Sequence, residues 1–466
     1  GKAETIEPQN TSKKSQTKRQ DLPPSVPYFP DIKKKSESSK SKIRQTIESS
    51  HVITQLLAAT ATLSAQSQSD YLGVLETIAT QIREKLEAMG KIKKVEIQHN
   101  RLWLSVKNKK IAFIDGGMAN MASLGSAPIA IRVGSYVVKP GTEGPEREAF
   151  DFEIQLVGEL YQSGMAGEGI FDGLDEDIDR MKDVARICLE TAGAIKLAER
   201  KEPDFIFMHG PLVNPVSMYS YKGFPNFSAQ GLEFLLPEKE RERTGHDANF
   251  IRVHLAQLRF LQSCKAVTCG VIERSSNSTL VAQAYINLMC KDQLITNADA
   301  DVFKQRLREF KISDSILFEC VLNEAEYMEP IPINKNEYYP GRTPDIWMQD
   351  LKDYPLPSVS FMKPSQMSSP VRVEMFECSL GKAERIFDLL VHSSRLLPQY
   401  AFPAGLDIVD KHSKIPNWMT RPINARLSAQ IMKKALETKN PTMINAMRRM
   451  LCNSPRDMMF RPGIFK

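Results

Sequence analysis

The chain has 466 residues, of which 42% are hydrophobic and 25% charged, a composition typical of a soluble globular protein with one large domain or two. No apolar run reaches the roughly 18 residues that a membrane-spanning helix needs, so the sequence excludes such a span. The seven cysteines are irregularly spaced and include no CxxC pair, which argues against a disulfide framework or a structural zinc site. We therefore expect a cytoplasmic protein with reduced thiols.

The net charge of +6 is concentrated at one end of the chain. Residues 1–44 contain 11 Lys or Arg against five Asp or Glu, and this difference of +6 equals the excess of the whole chain. Their Ser, Lys, Gln and Pro content predicts a disordered basic tail. Such a tail either contacts DNA phosphates or is merely solvated. Any DNA-binding surface in the neutral remainder must be a local patch.

The first predicted elements are a helix and several strands. Apolar residues at steps of three and four predict a helix over 48–90, which Gly90 ends. Strand-like runs follow over Val95–Val106, Lys110–Ile114 and Pro128–Val138.

Helices and strands then alternate, which predicts an α/β protein with a mixed sheet. We expect helices over 174–200, 249–263, Ser276–Asn287, Ser313–Leu322 and 380–397, and mostly helix after Asp410. We expect strands over Asp204–Met208, Lys265–Ile272 and Val371–Phe376. The Pro- and Ser-rich stretch 334–369 predicts an irregular loop.

The segment Asp115-Gly116-Gly117 follows the apolar run Lys110–Ile114 and is a candidate metal site. A strand holds a carboxylate on a rigid element, and glycine lets a ligand or backbone approach closely. The alternative is a structural turn, because Asp-Gly pairs also make turns.

Other candidates are weaker alone. Glu190 lies beside the apolar stripe of helix 174–200 and could face the strand that leads to His209, or it could be a solvated surface residue. Asp314 is a candidate ligand, although it or Ser313 could simply cap a helix. The last candidates are Asp407, Asp410 and His412, for which a surface helix start is the alternative.

The order of these blocks resembles the NurA nucleases. That family has an Asp-Gly-Gly or Asp-Gly-Ser block, a helix-borne Glu, a strand ending in Asp-Gly, a Gly-Val-Val-Lys-Arg-like strand, an Asp-x-x-Leu-Phe helix, an Arg-Val-Glu strand and a Tyr-Pro-x-x-Leu block before Asp or His. The counterparts here begin at Asp115, Glu190, His209, Gly270, Asp314, Arg372 and Phe402, the last with Asp410. The resemblance runs from about residue 95 to about residue 420, and the joint order of seven blocks carries it.

The resemblance implies a ribonuclease H-like mixed sheet flanked by helices, and a metal-dependent DNA nuclease that uses Mn²⁺ or Mg²⁺. It implies a nuclease domain over 93–425 with an irregular insertion at about 334–369, a helical segment over 45–92 before it and C-terminal helices over 426–466. By the same resemblance Asp115 would bridge two metal ions, and Glu190, His209 and Asp410 would complete the catalytic and metal-binding set, with Asp314 a weaker ligand. Arg274 or Arg372 would hold the scissile phosphate through a planar guanidinium.

The family also implies exonuclease and endonuclease action on single- and double-stranded DNA, and a homodimer docked on a hexameric HerA-type ATPase. The sequence contains no GxxxxGK[ST] motif, so any DNA translocation must come from such a partner. DNA end processing in repair and phage defence both remain open as pathways.

Two positions depart from the family pattern. His209 replaces an Asp, and Glu273 replaces a Lys. Histidine shifts metal preference from Mg²⁺ towards Mn²⁺. Alternatively the site is degenerate, and the chain is a scaffold that docks on the ATPase and regulates it. A third reading, a sequence-nonspecific DNA-binding module, explains the basic tail but not the ordered acidic blocks.

Overall fold

The computed structural model describes residues 70–120, 129–162, 175–214, 224–244, 248–273, 278–333, 352–397 and 402–451. The chain divides into two compact units, residues 1–77 and residues 78–466. In the first unit, the described residues 70–77 are helical. The second unit contains the sheet and the candidate site. The predicted basic tail, residues 48–69 of the first predicted helix, and Arg274 lie outside the described residues.

The strands, in chain order, are β1 (Ile92–Lys94), β2 (Ile111–Asn120), β3 (Ile129–Val138), β4 (Glu148–Leu156), β5 (Phe205–His209), β6 (Val267–Ile272), β7 (Glu326–Met328), β8 (Ile331–Pro332), β9 (Ser358–Lys363) and β10 (Val371–Met375). The helices are α1 (residues 70–88), α2 (His99–Ser105), α3 (Val157–Leu160), α4 (Asp175–Arg200), α5 (Ala229–Leu235), α6 (Glu238–Thr244), α7 (Phe250–Ser263), α8 (Leu280–Lys291), α9 (Asn297–Glu309), α10 (Asp314–Val321), α11 (Ala383–Ser394), α12 (Ala404–Ser413), α13 (Asn417–Glu437) and α14 (Pro441–Met450).

All of the strands given above belong to one mixed sheet, in the order β1-β7-β9-β10-β6-β5-β2-β3-β4, with β8 paired beside β9. Strands β2, β3 and β4 form an antiparallel meander. Helix α4 then leads to β5, which is parallel to β2, and α7 leads to β6, which is parallel to β5. The order of these five strands, third-second-first-fourth-fifth, is that of a ribonuclease H-like core, so the expected fold class is confirmed.

The centre of the sheet is covered on both faces, which explains why β5 is a continuous apolar run rather than an alternating one. Helix α4 covers one face, where Gly193 would meet Val133 and Ile114 if it carried a Cβ. Helix α12 covers the other, where Gly405 is pressed against the ring of Phe113. Both helices pack against β2, β3 and β5. The central strands therefore hold their polar residues between two layers of helix.

Two expectations were wrong. The run Val95–Val106 is not a strand, because residues 99–105 form helix α2, whose buried Leu102 lies one turn before Val106, which is buried just after the helix ends. The loop expected over 334–369 contains strand β9, whose six residues are all buried between neighbouring strands. The composition of this segment led to the wrong prediction, because the Ser and Lys residues of β9 suggest an exposed loop.

The remaining expected strands and helices are present with shifted ends, as the bounds above show. Several short or edge elements were not predicted: strands β1, β4, β7 and β8, and helices α3, α5, α6 and α9. Within the described residues, no helix combines the length and apolarity needed to cross a membrane. None of the cysteines described there forms a disulfide. The boundaries predicted at residues 44, 92 and 425 stay predictions.

Candidate metal centre

Asp115 lies within strand β2 rather than at its end. The strand continues for five residues beyond it and is paired with β3 along its whole length, with Asp115 opposite Gly134. The side chain is only 6% exposed. The turn considered for Asp115-Gly116-Gly117 is therefore excluded, and the carboxylate is held by a central strand of the sheet.

Close packing on both faces of β2 explains the two glycines after Asp115. A Cβ at Gly116 would lie 2.9 Å from Cγ of Glu190 on α4 and nearer still to its carboxylate. A Cβ at Gly117 would lie 2.8 Å from the backbone carbonyl carbon of Ser413 on α12. Neither helix could lie this close to the strand if Gly116 and Gly117 carried side chains. The pair of glycines thus lets helices from opposite faces reach the strand next to Asp115.

Three potential metal ligands converge at this point. Asp115, His209 and Asp410 each offer one ligand atom, and these atoms lie within 4.8 Å of one another. His209 ends β5, the parallel neighbour of β2, and its Nδ1 is 3.2 Å from Asp115 Oδ2. Asp410 is on α12, where its carboxylate pairs with Lys414. These three elements meet only in the folded chain.

Asp115 is oriented by its surroundings. The Gly116 amide donates to Asp115 Oδ1 at 2.8 Å, and the Ser413 hydroxyl donates to Oδ2 at 3.4 Å. Burial lowers the pKa of His209, but the hydrogen bond and charge of Asp115, together with the charges of Asp410 and Glu273, outweigh it. The net pKa of His209 is therefore above its usual value, as expected for an imidazole surrounded by carboxylates.

Glu190 approaches the same point from the opposite face of the sheet. Its side chain is almost fully buried, and burial raises its pKa to about 8, with the charge of Asp115 adding to the rise. Arg186, one helical turn earlier, opposes this rise from 3.7 Å away, as do His209 and the Gly116 amide. The Oε1 atom of Glu190 has no hydrogen-bond partner among the described residues. A buried acceptor without a donor is an energetic cost that a nearby cation would remove.

The three ligands open into a cleft of about 520 Å³. Its wall includes the aromatic ring of Phe402, and carboxylates outnumber cationic groups along it. The acidic residues are Asp115, Glu273, Asp407 and Asp410, and the basic residues are Arg186 and Lys414. An excess of carboxylates in a partly enclosed cleft attracts a divalent cation.

Two predicted site residues have other partners in the structure. Asp314 is fully buried and accepts hydrogen bonds from the amides of Val281 and Ala282 at 3.1 and 2.9 Å, so it caps helix α8. Arg372 pairs with the buried Glu374 on the same strand. Neither is in the group that could hold a metal, and neither lines the cleft.

The remaining candidates are divided between two sides of α12. Asp407 lines the cleft and pairs with Lys411 at 2.6 Å. His412 lies on the side of α12 that faces β4, against Phe150 and Phe152.

Sequence reasoning missed three residues of the site: Arg186, Ser413 and Lys414. Helical spacing could have found two of them, because Arg186 is four residues before Glu190 and Lys414 is four residues after Asp410. No local signal connects Ser413 to Asp115, which is 298 positions away in the chain.

The chain is similar in structure to NurA nucleases. Its match to the crystal structure of the NurA nuclease from Sulfolobus solfataricus covers 85% of this chain and 98% of that one, at 12% identity and a TM-score of 0.45. A structure of NurA bound to dAMP and manganese matches 76% of this chain and 94% of its own, at 12% identity and a TM-score of 0.36. The catalytic domain of human Endonuclease V matches 72% of this chain and 94% of its own, at 14% identity and a TM-score of 0.28.

No protein-family model matches the sequence, and no curated protein is similar to it in sequence. At the identities and TM-scores given above, structural similarity does not establish what this chain does. The function proposed below therefore depends on its own residues.

Those residues fit a divalent ion. Two carboxylates and one imidazole form a mixed oxygen and nitrogen set that suits Mn²⁺ and tolerates Mg²⁺. Glu190 adds a carboxyl group that lies buried beside this set, and a cation bound there would lower its raised pKa. Asp115, His209 and Asp410 can thus hold Mn²⁺ or Mg²⁺.

Proposed function

We propose that this chain is a metal-dependent DNA nuclease that hydrolyses phosphodiester bonds. The observation that carries the proposal is the convergence of Asp115, His209 and Asp410, with ligand atoms within 4.8 Å of one another at an open acidic cleft. A ribonuclease H-like core supplies the rigid platform. In this proposal the three residues hold the metal, and Glu190 contributes from the opposite face of the sheet.

A bound divalent ion lowers the pKa of a water molecule and stabilises charge on the phosphate and leaving oxygen. Residues of the chain orient the ligands and bind the phosphate. The Gly116 amide and the Ser413 hydroxyl fix the orientation of the Asp115 carboxylate. Arg186 and Lys414 on the cleft wall are placed to hold a phosphate. Arg186 thereby takes the role that the sequence suggested for Arg372.

The finer parts of the proposal come from the sequence resemblance. We propose exonuclease and endonuclease action on single- and double-stranded DNA, in a cytoplasmic homodimer that works with a hexameric HerA-type ATPase. DNA end processing in repair and phage defence are both compatible with this chemistry. Light scattering of the purified chain, alone and with the ATPase, tests the assembly, and a monomer under both conditions contradicts it.

The decisive experiment compares the wild-type chain with Asp115→Asn. The substitution keeps the shape of the side chain but removes the anionic oxygen that holds a hard cation. If the metal supplies about 4 kcal/mol to the transition state, its loss slows cleavage about a thousandfold. Labelled single-stranded and duplex DNA are incubated with Mn²⁺, with Mg²⁺ or with EDTA. Asp301→Asn, which neutralises an exposed carboxylate on α9, is the matched control.

Equal cleavage by wild type and Asp115→Asn, with circular dichroism showing both folded, contradicts the metal-site assignment. His209→Asp is the companion variant, because it restores the residue of the family pattern. We expect it to remain active and to accept Mg²⁺ more readily, since Mg²⁺ prefers oxygen ligands.

A second candidate function is a catalytically degenerate scaffold that docks on the ATPase. The contact of 3.2 Å between His209 Nδ1 and Asp115 Oδ2 favours it, because two ligands that pair with each other can neutralise a site without a metal. In that case the wild-type chain is inert with both ions, and His209→Asp restores cleavage.

A further inference from the structure

An exposed aromatic row lies on the edge strand β4, outside the cleft. Side chains at alternate positions share one face of a strand, so Phe150, Phe152 and Ile154 point the same way. They are 49%, 52% and 45% exposed. Strand β4 is the last strand of the sheet within the described residues. Large apolar side chains clustered and exposed at such an edge indicate a binding surface.

Strand register connects this row to the candidate metal centre. Asp115 is opposite Gly134, and Gly134 is opposite Phe152. Residues directly opposite in antiparallel strands project from the same face, and two strand spacings put Phe152 about 10 Å from Asp115. That distance corresponds to about three stacked nucleotides of one DNA strand.

The C-terminal end of α12 lies between the candidate metal centre and the aromatic row, and it contacts both. Ser413 donates to Asp115 on one side, while His412 packs against Phe150 and Phe152 on the other, at ring-centroid distances of 5.1 and 6.0 Å. A polymer that crosses this end of the helix would therefore contact the cleft and the aromatic row together.

Cations lie along this path, and two of them, Lys411 and Lys414, also pair with Asp407 and Asp410. The guanidinium of Arg132 lies over the ring of Phe152, with Cζ 4.3 Å from the ring centroid. The side chains of Lys411 and Lys414 are 71% and 63% exposed at the end of α12. Exposed flat rings interleaved with cations are the combination that binds single-stranded nucleic acid, in which unpaired bases stack on the rings and cations contact the phosphates.

A second copy of the chain fits this edge less well. Antiparallel pairing of two β4 strands centred on Phe152 would place Asp151 of one copy opposite Glu153 of the other. Like charges directly opposite each other destabilise a strand pair. The charge pattern therefore disfavours pairing with strand β4 of a second copy. It favours a polyanion, which would lie on the cations of the exposed face.

We propose that Phe150, Phe152 and Arg132 form a stacking platform for unpaired bases of single-stranded DNA adjacent to the cleaved phosphate. This inference rests on the proposed nuclease function and extends it, because it assigns a substrate subsite and a preference for unpaired strands. Base stacking on phenylalanine is tolerant of sequence, so the platform selects strand structure rather than base identity.

The test measures binding of the full chain to fluorescein-labelled oligothymidylate and to a blunt duplex, by anisotropy in EDTA so that no cleavage occurs. Phe152→Ala is expected to weaken oligothymidylate binding about tenfold, as loss of one stacked base predicts, and to leave duplex binding unchanged. Phe152→Leu, which keeps apolar bulk but removes the flat ring, is expected to behave alike. Val302→Ala, at a similarly exposed apolar residue on α9, is the matched control.

Arg132→Gln provides an independent measurement. Loss of one phosphate contact reduces the slope of log affinity against log salt by about 0.7 for a single strand. With Mn²⁺ present, the Phe152 variants are expected to raise KM for single-stranded substrate while leaving kcat unchanged.

Unaltered oligothymidylate affinity in both Phe152 variants overturns the platform, even if the chain cleaves DNA normally. A change in molar mass by light scattering, without a change in DNA affinity, assigns the row to a protein interface and overturns it as well. Absence of both binding and cleavage in the wild-type chain instead contradicts the nuclease function itself.

Discussion

Replacement of Gly117 by alanine tests how helix α12 is seated on strand β2. The added Cβ would lie 2.8 Å from the carbonyl carbon of Ser413 and 3.0 Å from Cα of Lys414. The carbonyl oxygen of Ser413 is nearer still, and ordinary contact begins near 3.4 Å, so the end of α12 must move away by about 1 Å. All three obstacles are backbone atoms, which no rotation of a side chain can relieve. Overpacking of this kind costs about 1–3 kcal/mol of unfolding free energy.

The same displacement affects the metal centre, because α12 carries Asp410 and Ser413. Since an error of about 1 Å can reduce catalysis about a hundredfold, we expect a loss of cleavage of about a hundredfold. Affinity for Mn²⁺ should fall about tenfold, the lower end of what disturbed ligand support costs in metal sites. Urea unfolding gives the stability, and calorimetric titration with Mn²⁺ gives the affinity.

Two other glycines serve as controls. A Cβ at Gly134, on the neighbouring strand, meets Cβ and the backbone nitrogen of Ser413 at 3.3 Å, so Gly134→Ala should be nearly neutral. A Cβ at Gly381 meets nothing within 4 Å. If Gly117→Ala matches Gly134→Ala in both stability and Mn²⁺ affinity, the close seating of α12 on β2 is refuted, and with it the account of why this position is glycine.

Three further substitutions test buried polar groups of the fold. Burial lowers the pKa of His254 from 6.5 to about 4, so protonation favours the unfolded chain, and stability should fall by about 3 kcal/mol between pH 6.5 and pH 4. His254→Met should flatten that decline in urea unfolding measured across this range, and an unchanged decline contradicts the assignment. Asp314→Ala should lower stability by about 2 kcal/mol through loss of the α8 cap, with the cleavage rate of the folded fraction unchanged; a selective loss of cleavage would return Asp314 to the metal site. Glu374→Gln leaves the charge of Arg372 buried and should cost about 3–5 kcal/mol, and a cost below about 1 kcal/mol argues against that pair.

The amino-acid pattern by itself determined the main elements of the core. Continuous apolar runs predicted β5 and β6, and periodicity predicted α4 and α7, because burial on both faces of a sheet or on one side of a helix leaves a local signature. The pattern failed at α2, whose seven residues are too few to show a period, and at β9, where Ser and Lys concealed a buried strand.

The sequence also singled out Asp115, His209 and Asp410, but it could not bring them together. It ranked Asp314 beside them, since a carboxylate at a helix start has the same local appearance whether it caps a helix or binds a metal. Only tertiary structure distinguishes the two, because α12 returns to β2 across almost 300 residues of chain. Contacts between residues so distant in sequence depend on how helices pack on the sheet, and no local pattern of side chains records that packing.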